Sequence, residues 1–531
     1  MAKFLKRIPL YPFLVAAYPV IFLLSENIHE IRPIAGLRSL LFFLVIAIAA
    51  FIFGRVITRD TRKGALVSLA AVLAFFLFFF VLYAPLYRGL REARLFGLEL
   101  GRHTILVPLV GVFLLAITIT AARLIARARG RLLSGATLLM NLVGLVLILI
   151  PTVSMLFYAF QQALSGRRAA AALPPVEQML IAPEDRPDIY LIILDTHISD
   201  TAMLNLMGVA DPEFSAALRQ KGFFVAECGR SNYPSTQYAL VSQLNLDYVP
   251  NLTGARDLKT LFQLMENNRV ARSLADIGYK TYAFETGYKF TELKNVDTYL
   301  RPLSRATDLF TYPGVTQFES LLLRVSGGKI LYETRDYLSD RMQYILDAPY
   351  VEYRDRILYD LQTLPQLAGQ EGPKFVFAHI LAPHSPFVFD SDGSLVNRRT
   401  PFALDSDPEG YDWYSYSDAY YNELIYVHAR MLEVVDGILT QSETPPVIII
   451  QGDHGIPRTE SRGANYEIFN AIYIGGEDIQ EAYDTISSVN SFRVVFNQVF
   501  NTAYPLLPDE TYSYDTEKQE FHQFVSDFTC P

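Results

Sequence analysis

The chain has 531 residues, of which 51% are hydrophobic, and a formal net charge of -9. A chain of this length exceeds what one hydrophobic core holds, so we expect two or more domains. The acidic balance gives no basic stripe, which excludes nucleic acid as an expected partner. The two cysteines, Cys228 and Cys530, are too few for a disulfide scaffold or a zinc finger, and either form one pair or are two unrelated thiols.

The first 160 residues contain five apolar stretches, each close to the ~20 residues that a helix needs to cross a bilayer. Buried helices of a large soluble protein do not give five such stretches in a row. The first has no small-residue cleavage site after it, so we expect a retained anchor rather than a signal peptide. We therefore predict a five-helix transmembrane domain over residues 1–160. The stretches are Ile8 to Leu24, Leu37 to Ile57, Ala65 to Leu86, Thr104 to Ala122 and Ala136 to Phe160.

Basic residues lie before the first stretch, between the second and third, and between the fourth and fifth. The positive-inside rule assigns these loops to the cytoplasm, and five crossings place the rest of the chain outside. We expect a multi-pass protein of the inner (cytoplasmic) membrane whose catalytic domain is periplasmic or extracellular. The residues are Lys3, Lys6, Arg7, Arg55, Arg59, Arg62, Lys63, Arg123, Arg127, Arg129 and Arg131.

One basic segment, Arg88 to Arg102, lies on the opposite side of this assignment. Its spacing of arginines and leucines is compatible with an interfacial amphipathic helix that grips anionic head groups. A solvated loop is the alternative.

Residues 161–187 form an Ala- and Pro-rich linker, and residues 188–531 then alternate between strand and helix patterns. Near-continuous apolar runs are typical of strands buried on both faces of a parallel sheet. We predict a C-terminal α/β domain with a mostly parallel central sheet, and a long helix over Tyr420 to Leu439. The predicted strands are Asp188 to Leu194, Phe223 to Ala226, Lys280 to Phe284, Phe375 to Leu381 and Pro446 to Ile450.

Three of these strands end at or near residues of the types that commonly bind metals, aspartate and histidine. Asp195 follows the first strand, His379 lies within the fourth with His384 shortly after it, and Asp453 and His454 follow the fifth. In α/β sheets the chemistry lies beyond the carboxyl ends of the strands, so we expect these side chains at one edge. Carboxylates and imidazoles together suit a divalent cation such as Zn²⁺ or Mn²⁺.

Six short motifs follow one another along this region. They are Asp195 after its strand, Asn232-Tyr-Pro-Ser-Thr236, Ser242-Gln-Leu-Asn245, Pro383-His-Ser-Pro386, Ile450-Gln-Gly-Asp-His-Gly455 and Val489-Asn-Ser-Phe-Arg493. This ordered set resembles the alkaline phosphatase/sulfatase superfamily over roughly residues 188–514. With the spans in front, the architecture is similar to lipoteichoic acid synthases and lipid A phosphoethanolamine transferases, and more closely to membrane-anchored sulfatase-like proteins.

The resemblance implies a covalent mechanism in which Thr236 is the nucleophile and itself contacts the metal. It implies metal ligands at Asp195, Asp453 and His454, and contacts of His384 and His379 with the transferred or leaving group. We expect one divalent ion, since no second set of ligands is recognisable. Coordination lowers the pKa of a hydroxyl and so activates it for attack on a phosphoryl group.

Several of these residues have structural alternatives. Asp195 could cap a turn, and the hydroxyls of Ser231 and Ser235 compete with Thr236 as nucleophile. His197 lies close enough to Asp195 to join the site, although no motif identifies it. His428 lies on the apolar face of a predicted helix and is expected in the core. His522 is expected on the surface.

Two positions depart from the superfamily pattern, and two glycines carry an expectation of their own. The Cys228–Ser231 segment lacks the proline of formylglycine sulfatases, so that chemistry is not expected. Thr196 stands where relatives usually have glycine, and we expect its β-branched side chain to narrow the turn. Gly452 and Gly455 are expected to let the backbone turn tightly around the Asp453–His454 pair.

The resemblance, together with the predicted metal ligands, implies a metal-dependent phosphotransferase or phosphohydrolase. A site held near the bilayer favours a membrane lipid or a lipid-linked glycan as substrate. A sulfuric-ester hydrolase on the same scaffold is one alternative. An inactive membrane scaffold for envelope assembly is another.

Overall fold

The computed structural model describes residues 2–28, 31–90, 94–95, 98–99, 103–127, 130–168, 178–253, 258–302, 312–396, 400–404, 413–456, 462–515, 518, 520–524 and 530. The chain divides into two compact units. The helical unit comprises Met1–Ala163, Arg305–Tyr350 and Asn397–Ala403. The sheet unit comprises Leu164–Ser304, Val351–Val396 and Leu404–Pro531. The helical unit therefore includes two segments from the region predicted as the catalytic domain.

Four helices among the described residues are long and apolar enough to cross a membrane: Pro33–Thr58, Thr61–Leu82, Ile105–Ala126 and Leu133–Phe160. They correspond to the second through fifth predicted spans. The first predicted span forms the shorter helix Tyr11–Glu26, whose 16 residues rise only ~24 Å at 1.5 Å each. This is less than a ~30 Å hydrocarbon core, so the predicted count of five is not confirmed.

Local sequence explains where these helices begin. The Asp60 carboxylate accepts hydrogen bonds from the amides of Arg62 and Lys63 and so caps the helix that starts at Thr61. The arginine-rich segment from Arg88 to Arg102 lies largely outside the described residues. The helices of the unit are Ala2–Leu5, Tyr11–Glu26, Leu37–Thr58, Thr61–Phe76 with a π-turn at Leu77–Leu82, Tyr83–Leu90, His103–Ala126, Gly130–Arg168, Gln317–Arg324 and Ile330–Glu333, and two short strands, Arg94–Leu95 and Leu98–Glu99, pair with each other.

A seven-stranded sheet forms the centre of the sheet unit. Its strands are β1 (Ile189–Leu194), β2 (Phe224–Val225), β3 (Lys280–Phe284), β4 (Thr298–Leu300), β5 (Lys374–Ile380), β6 (Val447–Gly452) and β7 (Asn470–Ile474). They lie in the order β2-β7-β6-β1-β5-β3-β4. The five strands from β6 to β4 are parallel, whereas β7 and β2 are antiparallel to their neighbours.

The central strands β1, β5 and β6 are buried along their whole length, which explains their near-continuous apolar sequence. All five predicted strands are present, within a few residues of the expected ends. β4 and β7 were not predicted, because a three-residue edge strand and an antiparallel strand with a polar first residue give weaker patterns. The mostly parallel α/β architecture is confirmed.

Helices cover both faces of the sheet. One face packs Ile189, Leu191 and Ile193 against helices Thr236–Asn245 and Ser488–Phe500. The predicted helix over Tyr420 to Leu439 is part of a longer one, Trp413–Gln441. The other helices are Asp200–Met207, Pro212–Gln220, Val249–Thr253, Leu258–Glu266, Arg269–Asp276 and Asp340–Leu367, the last of which continues from the helical unit.

The two cysteines form a disulfide across 302 residues of sequence. Cys228 is fully buried beside β2, and Cys530 lies near the end of the chain, beyond the hairpin Thr511–Asp515 and Glu520–Phe524. Cys228 and Cys530 therefore form one pair and are not two unrelated thiols. A structural disulfide is typical of a domain outside the cytoplasm.

Candidate active site

The register of the central strands brings distant residues to one place. Ile193 of β1 lies opposite His379 of β5 on one side and Gln451 of β6 on the other. Alternate residues of a strand share a face, so Asp195 and Asp453, two residues beyond Ile193 and Gln451, follow on the face of His379. The Asp195 amide continues the ladder by donating to the Ile380 carbonyl, 3.0 Å away.

These side chains form an acid–imidazole cluster of Asp195, His379, Asp453 and His454. One ligand atom from each of Asp195, His379 and Asp453 lies within 4.8 Å of the other two. His379 Nε2 is 3.3 Å from Asp195 Oδ2, and His454 Nε2 is 3.9 Å from Asp195 Oδ1 and 3.6 Å from Asp453 Oδ2. Four residues from three strand ends therefore surround one point.

Three atoms of the cluster are buried without a hydrogen-bond partner: Asp195 Oδ1, His379 Nε2 and Asp453 Oδ2. A buried polar atom left unpaired costs about 1–3 kcal/mol, and more when it is charged. Three such atoms at one place are what a bound cation would satisfy. The donor set of two carboxylates and two imidazoles suits a borderline divalent metal.

The imidazoles are oriented by their other ring nitrogen. His454 Nδ1 lies 2.7 Å from the Gly455 carbonyl, and His384 Nδ1 lies 2.5 Å from the Ser385 carbonyl. A carbonyl only accepts, so in the neutral ring Nδ1 carries the proton and Nε2 carries the lone pair. His379 Nδ1 lies 2.9 Å from the Thr291 hydroxyl, which turns its Nε2 toward Asp195. This pattern is typical of metal-binding histidines.

Asp453 is held by backbone donors. Its Oδ1 accepts from the amides of Thr196, at 3.0 Å, and His454, at 2.9 Å, and only Oδ2 faces the cluster unpaired. Thr196 adopts a left-handed conformation with φ of 58°. This explains why glycine suits that position, since glycine adopts such a φ without steric cost. The requirement is therefore set by the backbone rather than by the width of the turn.

The two glycines around the Asp453–His454 pair make close backbone contacts. The chain bends at Asp453 and His454, as expected, but neither glycine is among the residues with positive φ. A Cβ on Gly452 would lie 2.2 Å from the His197 carbonyl oxygen, and one on Gly455 would lie 1.9 Å from that of Ala464. Both positions therefore need glycine because neighbouring backbone approaches closely.

The electrostatics of Asp195 favour its charged form. Burial raises the pKa of this carboxyl, but the imidazoles of His384, His379 and His454 outweigh burial and hold the pKa well below its ordinary value. The largest single lowering effect comes from the charge of His384. His384 therefore lies near the cluster, although the ligand group within 4.8 Å does not include it.

Thr236 is the first residue of helix Thr236–Asn245 and is buried. This helix packs through Leu240 and Leu244 on the face of the sheet that carries Ile193, the face from which the cluster projects. Ser231, five residues earlier, donates from its hydroxyl to the Asp453 carbonyl at 2.6 Å. This hydrogen bond connects the segment before Thr236 to the residue that follows β6.

Two of the sequence motifs, Ser242–Asn245 and Val489–Arg493, make hydrogen bonds that stabilise helix Thr236–Asn245. The Arg493 guanidinium donates to the Leu246 carbonyl, at the end of helix Thr236–Asn245, and to that of Pro505. The Asn245 side chain donates to the Val241 carbonyl and accepts from the Arg269 amide. Both motifs are buried polar anchors.

A second histidine pair lies behind the cluster. His197 Nε2 is 2.6 Å from His428 Nε2, and His428 Nδ1 is 2.8 Å from Asp211 Oδ2. We call these three residues the histidine relay. Burial lowers the pKa of both rings below the ordinary value, against the effect of Asp211 on His428. His197 is thus directed away from the metal ligands, and His428 is a core histidine as expected.

The sequence signals for two residues were incomplete. His379 was expected to contact the substrate, yet its Nε2 lies among the ligand atoms. Its register opposite Ile193 could have indicated this. Thr291, which orients His379, has no sequence signal, because it comes from a separate turn, Lys289–Thr291. His522 is exposed in the C-terminal hairpin, as expected.

Comparison with known proteins gives similarity in structure only. No protein-family model and no curated protein matches the chain. The zinc-bound C-terminal periplasmic domain of EptC from Escherichia coli is 13% identical, with a TM-score of 0.40 over 63% of this chain and 87% of that chain. Lipooligosaccharide phosphoethanolamine transferase A (EptA) from Neisseria meningitidis, an integral membrane protein, is 14% identical, with a TM-score of 0.39 over 93% and 95%.

A protein in the alkaline phosphatase superfamily from Vibrio parahaemolyticus is 11% identical, with a TM-score of 0.36 over 67% of this chain and 86% of that chain. At such identities and TM-scores, the chemistry of this chain has to be inferred from its own residues.

Proposed function

We propose that the protein is a metal-dependent phosphotransferase or phosphohydrolase that uses Thr236 as its nucleophile. The observation that carries the proposal is the convergence of Asp195, His379 and Asp453, each of which has a buried side-chain atom without a hydrogen-bond partner. The motif resemblance adds the reaction class and the identity of the nucleophile.

The residues that would hold the metal are Asp195, Asp453 and His454, and to these we add His379. A single divalent ion is proposed, Zn²⁺ or Mn²⁺, because among the described residues only one group of this kind is found. A bound divalent cation lowers the pKa of an adjacent hydroxyl and neutralises charge on phosphoryl oxygens.

The chain's own residues supply the remaining chemistry. The Thr236 hydroxyl loses its proton, and its oxygen forms a bond to phosphorus while the bond to the leaving oxygen breaks and that oxygen takes up a proton. Water or an acceptor hydroxyl then loses its proton as it attacks the phosphorus, the bond to the Thr236 oxygen breaks, and Thr236 is reprotonated. Since Thr236 opens a helix, the first-turn amides can bind the oxygens of the phosphoryl group.

His384 is proposed to contact the transferred or leaving group. Its Nδ1 is engaged by the Ser385 carbonyl, which leaves Nε2 for a substrate oxygen. A protonated ring at this position can give its proton to the leaving oxygen. The effect of His384 on the pKa of Asp195 supports a position near the cluster.

The proposed substrate is a membrane lipid or a lipid-linked glycan at the outer face of the inner membrane. Four helices among the described residues are long and apolar enough to span a bilayer, which supports a substrate found in a membrane. A disulfide between Cys228 and Cys530 supports a catalytic domain outside the cytoplasm.

The full-length protein, purified in detergent and incubated with a phospholipid mixture, tests the nucleophile. We expect an increase in intact mass that maps to Thr236. Thr236→Ala should abolish the adduct and lower turnover by ~10³-fold or more, whereas the neighbouring Ser235→Ala should retain both. An adduct on Ser231 or Ser235, or full activity in Thr236→Ala, would refute the assignment.

Parallel assays with aryl phosphate, phosphodiester and aryl sulfate esters test the reaction class. Phosphoester turnover is expected. Sulfate turnover alone would establish the sulfuric-ester hydrolase instead. No bound metal and no effect of Thr236→Ala would establish an inactive scaffold.

A further inference from the structure

A segment from the C-terminal half of the sequence folds with the membrane helices. We call residues 312–350, which belong to the helical unit, the insert. It contains helix Gln317–Arg324, a 3-10 turn at Gly327–Lys329 and helix Ile330–Glu333. Sequence patterns gave no sign of this, since the insert has no span of its own.

A partly buried ion pair fixes the insert to helix Leu37–Thr58. The Arg38 guanidinium donates to both carboxylate oxygens of Glu319, at 2.9 and 2.7 Å, and to the carbonyls of Tyr312 and Gly314. Glu319 also completes a capping box with Thr316. A bidentate pair with four hydrogen bonds is geometrically specific, so the insert has one defined seat on this helix.

Apolar contacts extend the attachment. Phe318 is buried in a cluster with Leu24 and Phe43, and Ile330 packs against a cluster containing Tyr83 and Leu106. Helix Gln317–Arg324 also contacts the turn Pro33–Gly36, and the Gly327–Lys329 turn contacts Leu77–Leu82. All these contacts lie at one end of the helical unit, near the turn Pro33–Gly36 and the helix Tyr83–Leu90.

The opposite end of the unit carries the basic loops. The turn that joins Thr58 to Thr61 lies there, and Lys63 donates to the Ala126 carbonyl, which brings the next basic loop to the same end. By the positive-inside rule this end faces the cytoplasm. The insert is therefore at the extracytoplasmic end of the spanning helices.

The exposed surface of the insert combines aromatic, apolar and charged side chains. Tyr337 is 90% exposed and Tyr344 is 49% exposed, and Met342 is exposed beside Asp340 and Arg341. Tyrosine is enriched where membrane meets water, because its ring is apolar and its hydroxyl is polar. Since the insert packs directly on the apolar helices, the lipid that would surround those helices is the nearest partner for these tyrosines.

We propose that the insert rests on the outer lipid surface, with Tyr337 and Tyr344 in the head-group layer. Its seat on Arg38 holds this contact in place. The inference does not depend on the chemistry of the active site. Because the contact is aromatic rather than ionic, we expect it to persist at high salt.

Single-cysteine labelling of the full-length protein in phospholipid vesicles tests the lipid contact. The two native cysteines are paired, so an added cysteine is the reactive thiol. A fluorophore at Tyr337→Cys or Tyr344→Cys should emit at shorter wavelength than in water and be quenched by lipids spin-labelled near the head group. Val45→Cys, on an exposed part of a spanning helix, should be quenched by deep-labelled lipids instead.

Water-like emission without quenching at both tyrosine positions would overturn the proposal. Emission that is water-like in vesicles but shifted in native membranes would assign the surface to a protein partner, and so would also overturn it. A membrane-impermeant maleimide should label Tyr337→Cys and Arg59→Cys from opposite sides. Labelling from the same side would overturn the placement.

The ion pair has its own test. Glu319→Ala in the Tyr337→Cys background should reduce head-group quenching, because the insert loses its seat. The matched control Glu371→Ala, an exposed glutamate in the sheet unit, should leave quenching unchanged. Restoration by the swap of Arg38→Glu with Glu319→Arg would separate loss of the seat from loss of folding. Equal quenching in Glu319→Ala and the control would contradict the role of the pair.

Discussion

The sheet unit contains two buried groups of histidine and aspartate that differ in how their polar atoms are satisfied. The histidine relay of His197, His428 and Asp211 is a chain of two direct contacts at 2.6 and 2.8 Å, and one buried atom, His197 Nδ1, lacks a hydrogen-bond partner. The acid–imidazole cluster instead has three such atoms, and its imidazole nitrogens lie 3.3 to 3.9 Å from the carboxylate oxygens. The difference teaches that residue type alone does not identify a metal site. Unpaired atoms that converge on one point do.

The largest expected effect comes from Asp453→Asn. The amide oxygen can still accept from the Thr196 and His454 amides, so the fold should persist, but the unpaired anionic oxygen is lost. We expect loss of bound metal and a fall in turnover of at least ~10²-fold. Elemental analysis of the purified protein and phosphoester assays check this.

The matched control for that variant is Asp211→Asn in the relay. This carboxylate also contacts an imidazole, but its partner is His428 and no unpaired cluster atom is near it in the hydrogen-bond network. Metal content and turnover should stay near those of the parent protein. Equal loss of metal in both variants would remove the distinction between the two groups.

Removal of the Thr291 hydroxyl tests the orientation of His379. Thr291→Val keeps the volume but removes the partner of Nδ1, so the ring is free to turn. We expect metal affinity or activity to fall by about 10–100-fold, the range seen when second-layer partners of metal-binding histidines are lost. Thr281→Val, on β3 away from this histidine, is the control. Unchanged metal affinity in Thr291→Val would mean that packing alone orients the ring.

Glu467 sharpens the comparison because it is a buried carboxylate whose two oxygens lack hydrogen bonds. Burial raises its pKa from 4.5 to about 7, although Arg230 opposes this, whereas imidazoles lower the pKa of Asp195. The folded protein therefore binds more protons than the unfolded chain between these values. Stability from this group is present below pH 4.5 and is lost as the pH rises through about 7.

Glu467→Gln should remove that dependence. At pH 8 the variant should be more stable than the parent, by up to about 3 kcal/mol from the size of the shift, and the gain should shrink toward pH 5. Thermal unfolding of the full-length protein in detergent at both pH values measures this. Equal stabilisation at the two pH values would mean that ionisation of Glu467 is not the cause.

The smallest effect is expected when the relay itself is opened. Asp211→Ala leaves His428 Nδ1 without its partner, which should lower stability by about 1–3 kcal/mol. Asp211→Asn offers an amide oxygen to the same ring nitrogen and should cost less. The unfolding temperatures of the two variants, compared at one pH, decide this. If Asp211→Ala lost metal rather than stability, the relay would belong to the metal site.

The sequence by itself determined the elements that depend on local pattern. Long apolar runs identified the four helices that are long and apolar enough to cross a membrane. Apolar and β-branched runs identified β1, β3, β5 and β6, because burial on both faces of a sheet requires apolar residues at consecutive positions. The strand-end rule then directed attention to Asp195, Asp453 and His454, whose common location follows from parallel strands.

The tertiary structure decided what depends on register and on contacts far apart in the chain. A ring nitrogen of His379 lies among the ligand atoms because β5 pairs with β1 opposite Ile193, and Thr291 orients that ring from another turn. Thr196 needs a left-handed backbone, which no residue pattern reveals. The insert joins the helical unit through the Arg38–Glu319 pair, across 281 positions of sequence. Such pairings are set by the balance of buried polar groups over the whole fold, and no local window of sequence contains that balance.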